Sequence, residues 1–130
     1  MIVYGITHPM LGDGAGSLGV RPGVRIMMFT LNLPGIVRLI NLYPDRVDML
    51  ADLLASPVAG WSPAAEARPQ GSQTGSGYFL AHMSRHADRR GKVRVAWRMQ
   101  SDINDLYITP FDATRLAYYL RNARRNLRED

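Results

Sequence analysis

Apolar side chains recur with two different periods in the first half of the chain, and these periods predict where strands and helices lie. Every second residue of 27–33 is apolar, which predicts a strand over 24–33. The Pro34-Gly35 pair predicts a tight turn, so that 36–42 returns beside this strand as a hairpin. A proline at position 44 suits the first turn of a helix, and apolar residues follow at helical spacing over 47–54.

The ends of this half show weaker patterns. Residues 1–7 alternate weakly and predict a short strand. The stretch 8–23 holds five glycines and two prolines and predicts a long loop. Residues 57–77 are rich in Pro, Gly and Ser, which predicts a loop between possible halves at 1–56 and 78–130.

The second half predicts three strands and a helix. Strands are expected over 78–84, 92–100 and 103–109, with a polar turn at 86–91. Thr109 is the expected N-cap of a helix that starts at Pro110, because a threonine before a proline suits that position. One apolar stripe then follows at helical spacing: Ala113, Leu116, Ala117, Leu120, Ala123 and Leu127.

Together these elements predict an α+β fold with a mainly antiparallel sheet and two helices, in a single domain over 1–130. An offset of 66 residues lays 27–33 on 93–99 and 44–54 on 110–120. Two pseudo-repeated strand-turn-strand-helix units, arising by duplication or by convergence, are therefore an open alternative. The order of elements resembles that of single-stranded nucleic-acid binders with PUR-repeat folds, and the resemblance extends to this order alone.

The charged residues are unevenly distributed. Residues 1–65 carry four Arg and four Asp, whereas the whole net charge of +5 lies in 66–130. Such asymmetry favours an anionic partner. Fifteen of the sixteen basic residues are Arg, which also fits the codon usage of a high-GC genome, so the arginines have a compositional explanation beside the functional one.

The predicted hairpin over 78–100 concentrates this positive charge. Its cations alternate with apolar residues on the second strand. In one of the registers open to the hairpin, rings of the first strand stand beside them, as in sheet platforms that bind single-stranded nucleic acid. The Arg-rich end of the last helix adds candidate phosphate contacts. The candidate nucleic-acid-binding residues are Tyr78, His82, Arg85, Arg89, Arg90, Lys92, Arg94, Arg98, Arg121, Arg124, Arg125 and Arg128. Changing Arg94 and Arg98 to Ala is expected to weaken binding while leaving folding intact.

Other kinds of site find little support. The chain has no cysteine, which excludes disulfides, thiolate metal sites and thiol catalysis. The glycines of 12–19 lack the Lys and Ser/Thr of a phosphate-binding loop. His82 and His86 would lie about 13 Å apart across a strand end, too far to share a metal ion. We therefore expect no metal, no cofactor and no enzymatic activity.

The leading hypothesis is a small non-catalytic nucleic-acid-binding protein of the cytoplasm, with single-stranded nucleic acid favoured over duplex. The alternative is a protein-interaction module, such as a phage-encoded inhibitor of a host protein or a homo-oligomeric assembly subunit, with an acidic protein as partner. Tyr118 and Tyr119 widen the apolar stripe of the last helix, which suggests a homodimer interface or ordinary core packing. The longest apolar stretch, 24–42, is interrupted by Arg, Asn and Pro, so no membrane segment is expected.

Overall fold

The computed structural model describes residues 1–57, 65–67, 77–99 and 102–127, with side chains over 1–57, 79–97 and 105–127. The described elements confirm the α+β class with an antiparallel sheet and two helices. The strands are β1 (Ile2–His8), β2 (Gly12–Pro22), β3 (Met27–Leu33), β4 (Ile36–Leu42), β5 (Ala65–Ala67), β6 (Gly77–Met83), β7 (Val93–Met99) and β8 (Asp102–Ile108). The helices are α1 (Pro44–Ala55) and α2 (Pro110–Arg125), and a 3-10 turn covers Ala87–Arg89.

The described strands form one sheet in the order β4-β3-β2-β1-β8-β7-β6-β5. Each strand runs antiparallel to its neighbours, and β1 meets β8 where Thr7 pairs with Tyr107. The ends of β1, β7 and β8 therefore come together near the middle of the sheet.

The predicted helix starts and hairpins are confirmed in detail. The hydroxyl of Thr109 accepts a hydrogen bond from the backbone N–H of Asp112 at 3.1 Å, which caps α2. All six residues of the predicted α2 stripe are buried. The hairpin of β3 and β4 also forms as predicted, although β3 begins at Met27 because Gly23–Ile26 closes a turn of its own.

The prediction of a loop over 8–23 is wrong, because β2 occupies Gly12–Pro22 and pairs with both β1 and β3. Glycine weakens strands in general, but here it permits a close approach. A Cβ on Gly16 would collide with the backbone carbonyl of Asn32 on β3. Gly12 and Gly14 have positive φ angles of 86° and 68°, in the region that side chains disfavour, beside irregular pairing with β1.

One buried cluster joins both halves of the chain and both helices. Helix α1 follows the first four strands but packs on β5 and β6, while α2 packs on α1 and on β2. We call the helix-covered side of the sheet the core face and the opposite side the outer face. Because strand residues alternate, Val93, Val95 and Trp97 lie on the core face, and Lys92 and Arg94 point to the outer face.

Among the described elements, a pattern of four strands followed by a helix occurs twice. The repeat unit predicted from the sequence had only two strands and a helix. β7, β8 and α2 begin 66 residues after β3, β4 and α1 respectively. This order does not by itself establish an internal repeat, which stays a prediction, as does the single domain over 1–130. Most of the predicted loop at 57–77 lies outside the described residues, although its segment Ala65–Ala67 pairs with β6 as β5.

Candidate nucleic-acid interface

The connection between β6 and β7 is a basic turn, which we define as residues 84–92. Ser84 and Lys92 close it through a backbone hydrogen bond of 2.8 Å. The ring of His86 accepts from the backbone N–H of Asp88 at 3.2 Å, which caps the 3-10 turn inside it. The turn carries four basic side chains and one acidic one, so its shape is set by local hydrogen bonds and its charge is strongly positive.

Arg85 and Arg90 present their side chains to solvent from this turn. Together with Ser84, His86 and Ala87 they line a pocket of about 510 Å³. The residues that line this pocket thus include two arginines, a serine and a histidine. Guanidinium groups bind phosphate through paired charge-assisted hydrogen bonds, so the pocket suits a phosphate group.

Arg89 points from the turn back toward the sheet. Its guanidinium lies 4.9 Å from the centre of the Tyr107 ring, and it donates to the carbonyl oxygen of Pro9 at 3.2 Å. Arg89 therefore attaches the basic turn to the ends of β8 and β1. Arg89 as a whole is partly buried.

Lys92 joins a hydrogen-bonded group at the junction of β1, β2 and β7. Its Nζ donates to Thr7 Oγ1 at 2.6 Å, and Thr7 Oγ1 donates to Asp13 Oδ1 at 2.8 Å. Lys92 also lies 3.5 Å from Asp13. The Thr7 side chain is buried, so its hydroxyl is closed to a substrate, and the group holds strands together.

Asp13 gives this junction a measurable dependence on pH. The hydrogen bond from Thr7, followed by the positive charge of Lys92, holds the pKa of Asp13 below its ordinary value of 3.8. A carboxylate whose pKa is lowered by folding stabilises the fold above its unfolded pKa, and this contribution is lost as the pH falls through the folded value. Asp13→Asn should therefore melt at a lower temperature than the parent near neutral pH. The difference in melting temperature between the two proteins should narrow only below pH 3.8. A difference that stays constant down to strongly acidic pH would contradict this prediction.

Arg94 lies on the outer face as predicted, but it is engaged within the protein. Its Nε lies 3.0 Å and 3.1 Å from the two carboxylate oxygens of Asp105 on β8. Both side chains are about three-quarters buried. Replacing Arg94 is therefore expected to affect folding as well as binding, which changes the test that the sequence suggested.

The two rings that the sequence placed beside the basic residues of β7 are those of His82 and Tyr78. His82 pairs with Arg94 across the strands, as the register required, but its ring is buried and its Nδ1 lies 2.8 Å from the carbonyl oxygen of Met83. Tyr78 and Arg98 are paired through their backbones, and their side chains lie outside the described residues.

The arginines of α2 face the acidic side chains of α1. Arg121 lies 3.0 Å from Asp52, and Arg124 lies 3.5 Å from Asp48 and 3.1 Å from the carbonyl oxygen of Pro44. These ion pairs join the two helices. Arg125 is exposed, and Arg128 lies outside the described residues.

The two tyrosines of α2 differ in their surroundings. Tyr119 packs against the core, while the Tyr118 side chain is 72% exposed. Both line a shallow, mainly apolar depression with Met1 and Ile2. Tyr118 is thus placed where it could meet another molecule, and Tyr119 is placed for packing.

Residues that sequence reasoning missed include Thr7, Asp13, Asp105 and Tyr107, which hold the basic side chains in place. The alternation of β8 carried a signal for the last two, since Leu106 and Ile108 are apolar and their neighbours point the other way. No local signal marked Asp13, because it lies in the glycine-rich stretch interpreted as a loop.

Within the described ranges, no three His, Asp or Glu side chains come close enough to hold a metal ion. Neither described helix combines the length and the apolar character needed to cross a bilayer. No protein-family model, curated protein or solved structure matches the chain.

Proposed function

We propose that the protein is a non-catalytic nucleic-acid-binding protein that takes phosphate groups of its ligand at the basic turn. The observation that carries this proposal is the pocket of the turn, with Arg85 and Arg90 on its walls. Arg89, anchored beside the pocket by Tyr107 and Pro9, adds a further positive charge next to it. Phosphate contacts of this kind supply most of the sequence-independent affinity for nucleic acid.

Substitution of Arg85 and Arg90 by Ala tests the proposal, because both side chains are exposed and folding should be preserved. Binding of a labelled single-stranded oligonucleotide should weaken by about tenfold at moderate salt, if each arginine holds one phosphate. The slope of log affinity against log salt should become shallower by about 1.4, since each phosphate contact on a single strand contributes about 0.7. Fluorescence anisotropy at several salt concentrations measures both quantities.

The matched control is Arg25→Ala with Arg115→Ala, which removes the same charge from two exposed side chains that lie outside the basic turn. If binding depends only on net charge, the two double variants weaken it equally, and the assignment to the turn is wrong. If the parent does not bind at low salt, where attraction between charges is least screened, the proposed function is wrong.

The second candidate function is a protein-interaction module, and the exposed Tyr118 beside the apolar depression favours it. A second copy of the chain or an acidic protein would be the partner. A pulldown after nuclease treatment separates the two candidates, because a protein partner is retained and a nucleic acid is lost.

A further inference from the structure

The two halves of the outer face differ in how open they are. In the second half, Leu80, His82, Ala96 and Tyr107 are all buried. In the first half, the side chain of Tyr4 is 73% exposed, and the edge strand β4 exposes Val37 and Leu39 as well. The outer face of β1–β4 is therefore an open surface, and its most exposed ring is Tyr4.

Polar side chains stand in the same row as this ring. Tyr4 pairs with Ser17 on β2, and Ser17 pairs with Asn32 on β3. Residues paired across strands lie about 5 Å apart and share a face. Gly19 on β2 has no side chain, so nothing projects from the sheet at that position beside them. A flat group stacked on Tyr4 would thus find a hydroxyl and an amide, which both donate and accept hydrogen bonds.

The Tyr4 row is continuous with the basic turn. Gly5 has a φ of 67°, and the pairing of β1 with β2 shifts between Tyr4 and Ile6. This irregularity lets both Tyr4 and Thr7 stand on the outer face, although they are three residues apart. Thr7 accepts a hydrogen bond from Lys92 of the turn. Tyr4 and Thr7 are about 10 Å apart along β1.

We propose that the open outer face around Tyr4, Ser17 and Asn32 is a base-contacting surface for single-stranded nucleic acid. This inference rests on the proposed function, since the basic turn would hold the phosphates of the same strand. A base can stack on a side-chain ring and offer its edge to Ser and Asn only when it is unpaired. The surface therefore selects single strands over duplex.

The test compares Tyr4→Ala and Tyr4→Phe on two labelled probes. One probe is an oligothymidine of about ten nucleotides, a length within the usual range for sheet-based sites, and the other is an abasic strand of the same length. Tyr4→Ala should bind oligothymidine about tenfold more weakly than the parent, because one stacked base is lost. Tyr4→Phe should bind like the parent. Neither variant should change the affinity for the abasic strand or the salt slope.

Tyr118→Ala is the matched control, since Tyr118 is equally exposed but lies on α2. It should leave both probes unaffected. Equal losses on the thymidine and abasic probes, or an unchanged affinity of Tyr4→Ala for oligothymidine, would overturn the inference. A change in oligomeric state caused by Tyr4→Ala, measured by size-exclusion chromatography, would also overturn it, because a second copy would then cover this face.

The variant with Arg85→Ala and Arg90→Ala distinguishes a failure of the proposed function from a failure of the base-contacting surface. If it weakens binding to both probes while Tyr4→Ala weakens neither, the proposed function stands and the base-contacting surface is wrong. If no parent binding is measured on either probe, both are wrong.

Discussion

Replacing Trp97 with Ala is expected to lower the free energy of unfolding by about 4 kcal/mol, because the deletion of a large buried ring leaves a cavity. Trp97 is fully buried on the core face of β7. Its ring centre lies 5.8 Å from that of Phe29 on β3, so the pair joins the cores of the two halves. Such aromatic pairs contribute beyond their buried area.

Urea denaturation of the parent and of Trp97→Ala, followed by circular dichroism, measures this change. Phe111→Ala is the control, because this ring is 71% exposed and its loss should cost less than about 1 kcal/mol. Since one buried cluster spans both halves, the variant should still unfold in a single transition at a lower denaturant concentration. Two separated transitions would show that residues 1–56 and 78–130 fold as independent units.

Replacing Arg94 with Ala is expected to cost about 2 kcal/mol of stability, because it leaves the mostly buried carboxylate of Asp105 without this partner. Removing one member of an ion pair is costlier than removing both, since the remaining charge still has to be desolvated. The double variant Arg94→Ala with Asp105→Ala should therefore lose less stability than the two single variants together.

A double-mutant cycle over these three variants measures the coupling between Arg94 and Asp105. We expect a coupling of about 1–2 kcal/mol, the range for contacting residues. Arg90→Ala, which changes an exposed arginine of the same hairpin, should leave the free energy of unfolding nearly unchanged. Additive losses at Arg94 and Asp105 would indicate that the two side chains are not coupled and that the ion pair contributes no net stability.

The basic residues differ in whether they form ion pairs within the fold, and this difference affects how binding should be tested. Arg94 forms a mostly buried ion pair with Asp105 of β8, and Arg121 and Arg124 form more exposed pairs with carboxylates of α1, whereas the side chains of Arg85 and Arg90 are exposed at the turn. Binding experiments that replace arginines indiscriminately would mix losses of stability with losses of affinity. The variants at the turn and at Tyr4 avoid this mixture, because their side chains are exposed.

Much of the architecture could be predicted from local pattern. The hairpin of β3 and β4, the alternation of β7 and the start of α2 at Pro110 each follow from the spacing of apolar residues or from a capping residue. These features depend on residues close together in the chain, so the sequence contains the information directly. The same holds for the placement of Arg85, Arg89 and Arg90 on a turn.

The glycine-rich strand β2 could not be predicted in this way, because its stability comes from its neighbours. Gly16 is required by the backbone of Asn32, which is distant in sequence and adjacent only across β2 and β3. Intrinsic strand propensity is weak compared with such pairing. The open face around Tyr4 depends on this strand, so it was also missed.

Residue patterning was enough to predict the α+β class and most strand and helix positions, and it showed that the positive charge is concentrated in the second half. The exposure of each cation and its place in ion pairs depend on the tertiary structure. Asp13, Asp48 and Asp52 are remote in sequence from the basic residues that they contact, and only the packing of strands and helices brings them within ion-pair distance. Charge composition counts all basic groups alike, while the fold divides them into structural ion pairs and an exposed site, because Coulomb attraction acts on distance in space and not along the chain.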